Sequence, residues 1–103
     1  IAIVDDGGHL VYLERLDGTQ KASSTIAVEK ARTAIMFKRP SKVLEDAVAG
    51  GRVAIMSLSG VTPVEGGLPI VVDGQFLGAI GVSGVQSSQD AQVARAGLEA
   101  LQG

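Results

Sequence analysis

Residues 68–84 read LPIVVDGQFLGAIGVSG, two apolar runs joined by the pair Asp73-Gly74. An Asp-Gly pair between apolar runs signals a two-residue hairpin turn of type I′, which needs positive φ at both positions. Along the second run Phe76, Gly78, Ile80 and Val82 share one face, while Leu77, Ala79, Gly81 and Ser83 share the other. The far half of that second face is nearly bare of side chains, so a helix or a flat ligand can lie very close to it. The pattern predicts an antiparallel sheet with something pressed against it.

A second hairpin opens the chain. Residues 1–19 read IAIVDDGGHLVYLERLDGT. Ile1 to Val4 is a β-branched run, and Asp5-Asp6-Gly7-Gly8 is turn chemistry, because Asp bonds its own backbone and Gly takes positive φ freely. His9 to Leu16 alternates imperfectly as the return strand, and Asp17-Gly18 closes it. The sequence begins at Ile1, without Met and already in a strand, so the expectation is that a segment ahead of it was processed, trimmed or left out.

Between the hairpins the period changes. From Ser24 onward Ala27, Ala31, Ala34 and Ile35 form one helical stripe, with Glu29, Lys30 and Arg32 facing away. Arg39-Pro40-Ser41 ends this helix and starts the next, with Ser41 as N-cap. That second helix, Lys42 to Val48, ends at Gly50-Gly51. Arg52 to Leu58 reads as a strand and Ser59 to Gly67 as a loop. Ser87 and Asp90 make a capping box for a last helix that buries Val93, Ala94, Gly97, Leu98 and Leu101. The expected order is β-β-α-α-β-β-β-α, an α+β fold built on an antiparallel sheet flanked by helices.

Residues 1–103 are long enough for one domain with a real but modest core. Apolar residues make up 46%, yet Tyr12, Phe37 and Phe76 are the only aromatics, so the layers must be thin and tightly packed. Fourteen glycines, about twice the usual share of roughly 7%, point to sharp turns and close backbone approaches. The net charge of −2 comes with no basic stripe and no interleaved aromatics, which argues against nucleic acid as a partner. With no cysteine, disulfides, thiolate metal sites and a thiol nucleophile are excluded. The apolar runs are too short to span a bilayer, so no membrane partner is expected. A cytoplasmic location is the expectation, with secretion the alternative if a signal peptide preceded Ile1.

His9 is the chain's single histidine. It reads either as a metal or cofactor ligand or as a solvated residue starting a strand. Asp5 and Asp6 do not form a paired-carboxylate site, because neighbouring strand residues point to opposite faces; turn formation suits them better. Asp5 and His9, four apart in an extended chain, should also diverge. The loop VTPVEGGLP sets Glu65 beside Gly66-Gly67, where backbone can approach a ligand or present N–H groups. No Walker or dinucleotide motif is present, and GAIGVSG lies within a strand rather than between strand and helix.

The strings IVDDGGHLVYLERLDGT, KARTA, VEGGLPIVVDG and LGAIGVSG, followed by QD and a terminal AGLEAL helix, resemble the GlcG/HbpS family along essentially the whole chain. That family includes haem-binding HbpS, the glycolate-operon protein GlcG and the C-terminal domain of PduO-type adenosyltransferases. The resemblance implies a profilin-like fold, a homo-oligomer, and a small-molecule ligand of the haem or corrinoid type. Haem degradation is attributed to some members, so an enzyme reading stays open. It also implies an amphipathic helix ahead of the first strand; this sequence does not include one, and an exposed apolar patch or a partner subunit is expected in its place.

By the same resemblance His9 occupies the slot of a tetrapyrrole ligand, with Asp5, Lys30, Glu65, Gly66 and Gly67 as further ligand-binding candidates. Lys30, within KARTA, reads either as an exposed lysine near Glu29 or as a cation holding a propionate. Met36 and Met56 fall on segments read as packed, which leaves His9 as the one strong iron ligand. The shortage of aromatic walls weighs against haem. The competing reading is a small catabolic enzyme acting on a carboxylate metabolite, with Glu65, Asp5 and His9 as acid–base groups. A third is a structural or regulatory subunit.

Overall fold

A computed structural model describes residues 1–15, 21–84 and 87–102. The strands are β1 (Ala2–Asp5), β2 (Leu10–Leu13), β3 (Gly67–Val72) and β4 (Gln75–Gly81), and the helices are α1 (Lys21–Phe37), α2 (Ser41–Ala49) and α3 (Ser87–Gln102). The four strands form one antiparallel sheet in the order β2-β1-β4-β3. The fold is α+β, as the two hairpins require.

Both hairpin turns have the backbone their residues predict. Asp73 and Gly74 take φ of 50° and 76°, the double positive pair of a type I′ turn. In the first hairpin the Gly8 N–H donates to the Asp5 carbonyl at 3.0 Å, and Gly8 takes φ of 82°. The Asp17-Gly18 turn lies outside the described residues.

The sheet is covered on both faces. Val4 and Ala79 pack with Ala31, Ala34 and Ile35 of α1 on one side. Leu68, Ile80 and Val82 pack with Ala94 of α3 on the other. The bare face foreseen on β4 is where α1 lies. Gly67 and Gly81 are cross-strand partners, and a methyl group on either would run into α1 backbone, at the carbonyl of Lys30 or of Ala27. With Ala27, Ala31 and Ala34 fully buried, helix and sheet meet almost backbone to backbone.

Several expectations need correction. Residues 52–58 are no strand; Val53–Ser57 is a 3₁₀ helix, closed by bonds such as Leu58 N–H to the Ile55 carbonyl at 3.2 Å. Alternation alone cannot separate a short apolar strand from a helical turn, and here only Ile55 is buried. Phe76 belongs with the α1 layer rather than with Ile80 and Val82, because β4 carries a bulge. Ile70 pairs with Gly78 and Val71 with Phe76, which leaves Leu77 unpartnered and flips the faces beyond it.

Ser41 is the first residue of α2 rather than its cap, and its buried hydroxyl instead donates to the Val64 carbonyl at 2.6 Å and accepts from the Gly67 N–H at 2.9 Å. Met36 and Met56 are both exposed. The side chains of Ser87 and Leu101 lie outside the described residues. Finally, β2 is an outer strand whose Leu10, Val11, Tyr12 and Leu13 are all exposed.

Candidate functional site

The Asp5–His9 turn is a compact hydrogen-bonded unit. One carboxylate oxygen of Asp5 accepts from the Gly7 N–H at 3.0 Å and from the His9 N–H at 2.8 Å, and lies 3.2 Å from His9 Nδ1. The expected divergence of these two residues does not occur, because the three residues between them, Asp6, Gly7 and Gly8, form a turn rather than a strand. An ionised carboxylate can only accept, so Nδ1 is the donor. In the neutral ring that leaves Nε2 with its lone pair free. The side chain of His9 is 82% exposed, which aims that lone pair at solvent. A carboxylate behind a histidine is the arrangement that fixes tautomer and ring orientation in metal-ligating imidazoles.

The Asp5 carboxyl is held below its ordinary value, first by the His9 backbone N–H, with help from the Gly7 N–H and the His9 ring and opposed by partial desolvation. A depressed carboxylate stabilises the turn above its unfolded pKa, and that contribution disappears as pH falls through the folded value. We therefore expect the amide resonances of Gly7 and His9 to move together below about pH 4 in an NMR titration, and Asp5→Asn to abolish that transition. Amide shifts that stay flat down to roughly pH 2 would refute this account of the turn.

The remaining candidates lie elsewhere. Along β4, Asp5 sits opposite Gly78 and Ala2 opposite Gly81, the partner of Gly67. The Gly66-Gly67 corner is thus at the opposite end of β1 from His9. Lys30 is not exposed. It is 2% exposed, with its ammonium donating to the Val82 carbonyl and to Asp90, both at 3.0 Å. Gly66 leaves the room for that ammonium, since a side chain there would meet Lys30 Nζ at 2.9 Å. Glu65 is buried near α2, its N–H facing Glu45 at 3.4 Å and its carboxylate 4.0 Å from Lys42. The structure therefore brings Asp5 to His9, and Lys30 to Gly66 and Gly67, in two separate groups.

Sequence reasoning missed Asp90 as the partner of Lys30, and Arg32 as a neighbour of the histidine turn, its Nε donating to the Gly8 carbonyl at 2.9 Å. A signal for Lys30 was present: it lies three residues after Ala27 and four before Ala34, on the buried stripe itself. Arg32 had none, because its partner is remote in sequence. Among the described residues no group of three or more His, Asp or Glu could hold a metal ion, and no helix is long and apolar enough to cross a membrane.

A four-stranded sheet covered by helices on both faces, with a carboxylate-backed imidazole displayed on a hairpin turn, defines a small α+β domain. The chain belongs to the HbpS-like family, whose model, described as "Haem degrading protein HbpS-like", matches residues 1–99. It is 48% identical to protein GlcG of Escherichia coli (strain K12) over 83 residues, 81% of this chain and 62% of GlcG. Its structure is similar to that of a PduOC–haem complex, with a TM-score of 0.86 and 29% identity, covering 96% of this chain and 75% of the other. An HbpS double mutant from Streptomyces reticuli gives a TM-score of 0.89 and 32% identity over 97% of this chain and 68% of the other.

Proposed function

We propose that this domain binds a tetrapyrrole, haem or a corrinoid, in a homo-oligomer, and that His9 Nε2 would hold its metal ion. The observation that carries this reading is the Asp5–His9 couple, which holds an outward imidazole in the tautomer a metal needs. The donor set fits, because a neutral imidazole backed by a carboxylate is a standard haem ligand. The exposed side chains of β2, which begins directly after His9, offer apolar surface for a flat macrocycle. The oligomer comes from the family resemblance, and the open position of the His9 turn would leave room for a second subunit to cover the ligand. The haem complex of the PduOC relative supports the same ligand class. Bound haem would supply the redox and ligand chemistry of iron; this chain's residues would hold, orient and cover it.

The alternative, acid–base chemistry on a small carboxylate, is less well supported. It needs Glu65 to converge with Asp5 and His9, and Glu65 instead lies beside α2.

Adding haemin to the protein should produce a histidine-ligated Soret band, and His9→Ala should remove it. Asp5→Asn should keep the band but weaken binding by about tenfold, as loss of an outer-shell partner does at other metal sites. An identical spectrum for wild type and His9→Ala would overturn the assignment.

A further inference from the structure

The sequence reading placed Arg32 on the outer face of α1, pointing to solvent. The structure instead lays its side chain on the first hairpin. Its Cγ is 3.7 Å from where a side chain on Gly8 would begin, and its Nε donates to the Gly8 carbonyl at 2.9 Å. That carbonyl belongs to the peptide that continues into His9. The bond uses one of the five N–H groups of the guanidinium. Among the described residues Arg32 makes no other hydrogen bond or ion pair, so the four N–H groups of its two terminal nitrogens stay open beside the histidine.

The charges around it sharpen the point. Asp5 and Asp6 put two carboxylates in the same turn, and Asp5 is already committed to Gly7 and His9. The other nearby cation, Lys38 just past the end of α1, lies over the Phe76 ring at 5.4 Å, in a cleft shared with Asp6 and Ile35. Arg32 is therefore the cation anchored to the peptide of the ligating histidine. A guanidinium held by Nε, with its far edge free, is shaped for a bidentate carboxylate.

We propose that Arg32 is the carboxylate-binding residue of the His9 site, and that it selects a macrocycle with ionised peripheral carboxylates over one carrying neutral amides. The proposal rests on the tetrapyrrole reading of His9 given above. It deepens that reading by choosing haem-type acids over corrinoids: an amide oxygen can accept from Arg32, but without the charge that roughly doubles the strength of such a bond.

The test compares haemin with haemin dimethyl ester, which keeps the iron and the ring but masks both carboxylates. Each is titrated into wild type, Arg32→Gln and Arg32→Lys. Arg32→Gln should bind haemin about tenfold more weakly, equivalent to ~1.4 kcal/mol, keep the histidine-ligated Soret band at saturation, and bind the ester as wild type does. Arg32→Lys should recover part of the loss, since it restores charge without the planar fork. Equal losses for acid and ester would reduce Arg32 to a brace for the turn and overturn the proposal, as would no loss at all. If wild type shows no His9-dependent Soret change with either compound, the tetrapyrrole reading itself falls and takes Arg32 with it. That outcome is distinct, because it is read before any Arg32 variant is made.

Discussion

Gly81→Ala should destabilise the protein by at least about 3 kcal/mol, at or beyond the upper end of what overpacking a core costs. Gly81 has no unusual φ, so an alanine backbone would be content there. The obstacle is purely steric. The new methyl would collide with the Ala27 carbonyl oxygen and lie 2.8 Å from Ala31 N, both of them backbone atoms of α1 that cannot swing aside. Relief requires the whole helix to lift, which would open the layer that Ala31, Ala34 and Ile35 share with Val4 and Ala79. Against a typical total of about 5–15 kcal/mol for a domain, such a loss is severe. Gly74→Ala is the control. At φ 76° with nothing within 4 Å, it should cost only about 1 kcal/mol of backbone strain. Urea denaturation of the two variants decides the matter, and midpoints that fall equally would show that α1 does not rest on Gly81.

The buried ion pair carries the second large effect. Lys30 and Asp90 are each 2% exposed and 3.0 Å apart, which ties α1 to the first turn of α3 from opposite faces of the sheet. Removing one partner of such a pair leaves a charge without compensation and costs about 3–5 kcal/mol. Lys30→Met and Asp90→Asn should therefore each be strongly destabilising. The double variant should be far less harmed than the two losses added together, because neither charge is then stranded. Asn preserves the shape of Asp90 and so isolates the charge. Strict additivity in a double-mutant cycle would mean that the two groups act independently.

Local chemistry proved readable. Asp73-Gly74, the Asp5–Gly8 turn and the bare face of β4 all follow from what one or a few adjacent residues can do with their backbone, and these set the antiparallel sheet and the seat of α1. What escaped reading depends on partners far along the chain. Lys30 falls on the buried stripe of α1, but what its charge does there shows only once Asp90, sixty residues on, supplies the counter-charge. Residues 53–57 alternate like a strand, but β3 and β2 form the sheet edges and the segment coils beside α2 instead. The bulge at Leu77 is a one-residue slip that no alternation rule detects. At the site, His9 and Asp5 were both legible as candidates, whereas their contact needed the turn's actual path. Arg32 needed the packing of α1 across the sheet.

The strand order has a consequence for how the protein is made. β1 is sandwiched between β2, its immediate successor, and β4, where Ala2 faces Gly81. As the polypeptide leaves the ribosome, the first hairpin must wait for the intervening helices and β3 before its other neighbour, β4, arrives. A two-stranded ribbon alone is only marginally stable in water, and pairing between such distant segments slows folding. The His9 turn therefore acquires its lasting support only once β4 has joined the sheet beside β1.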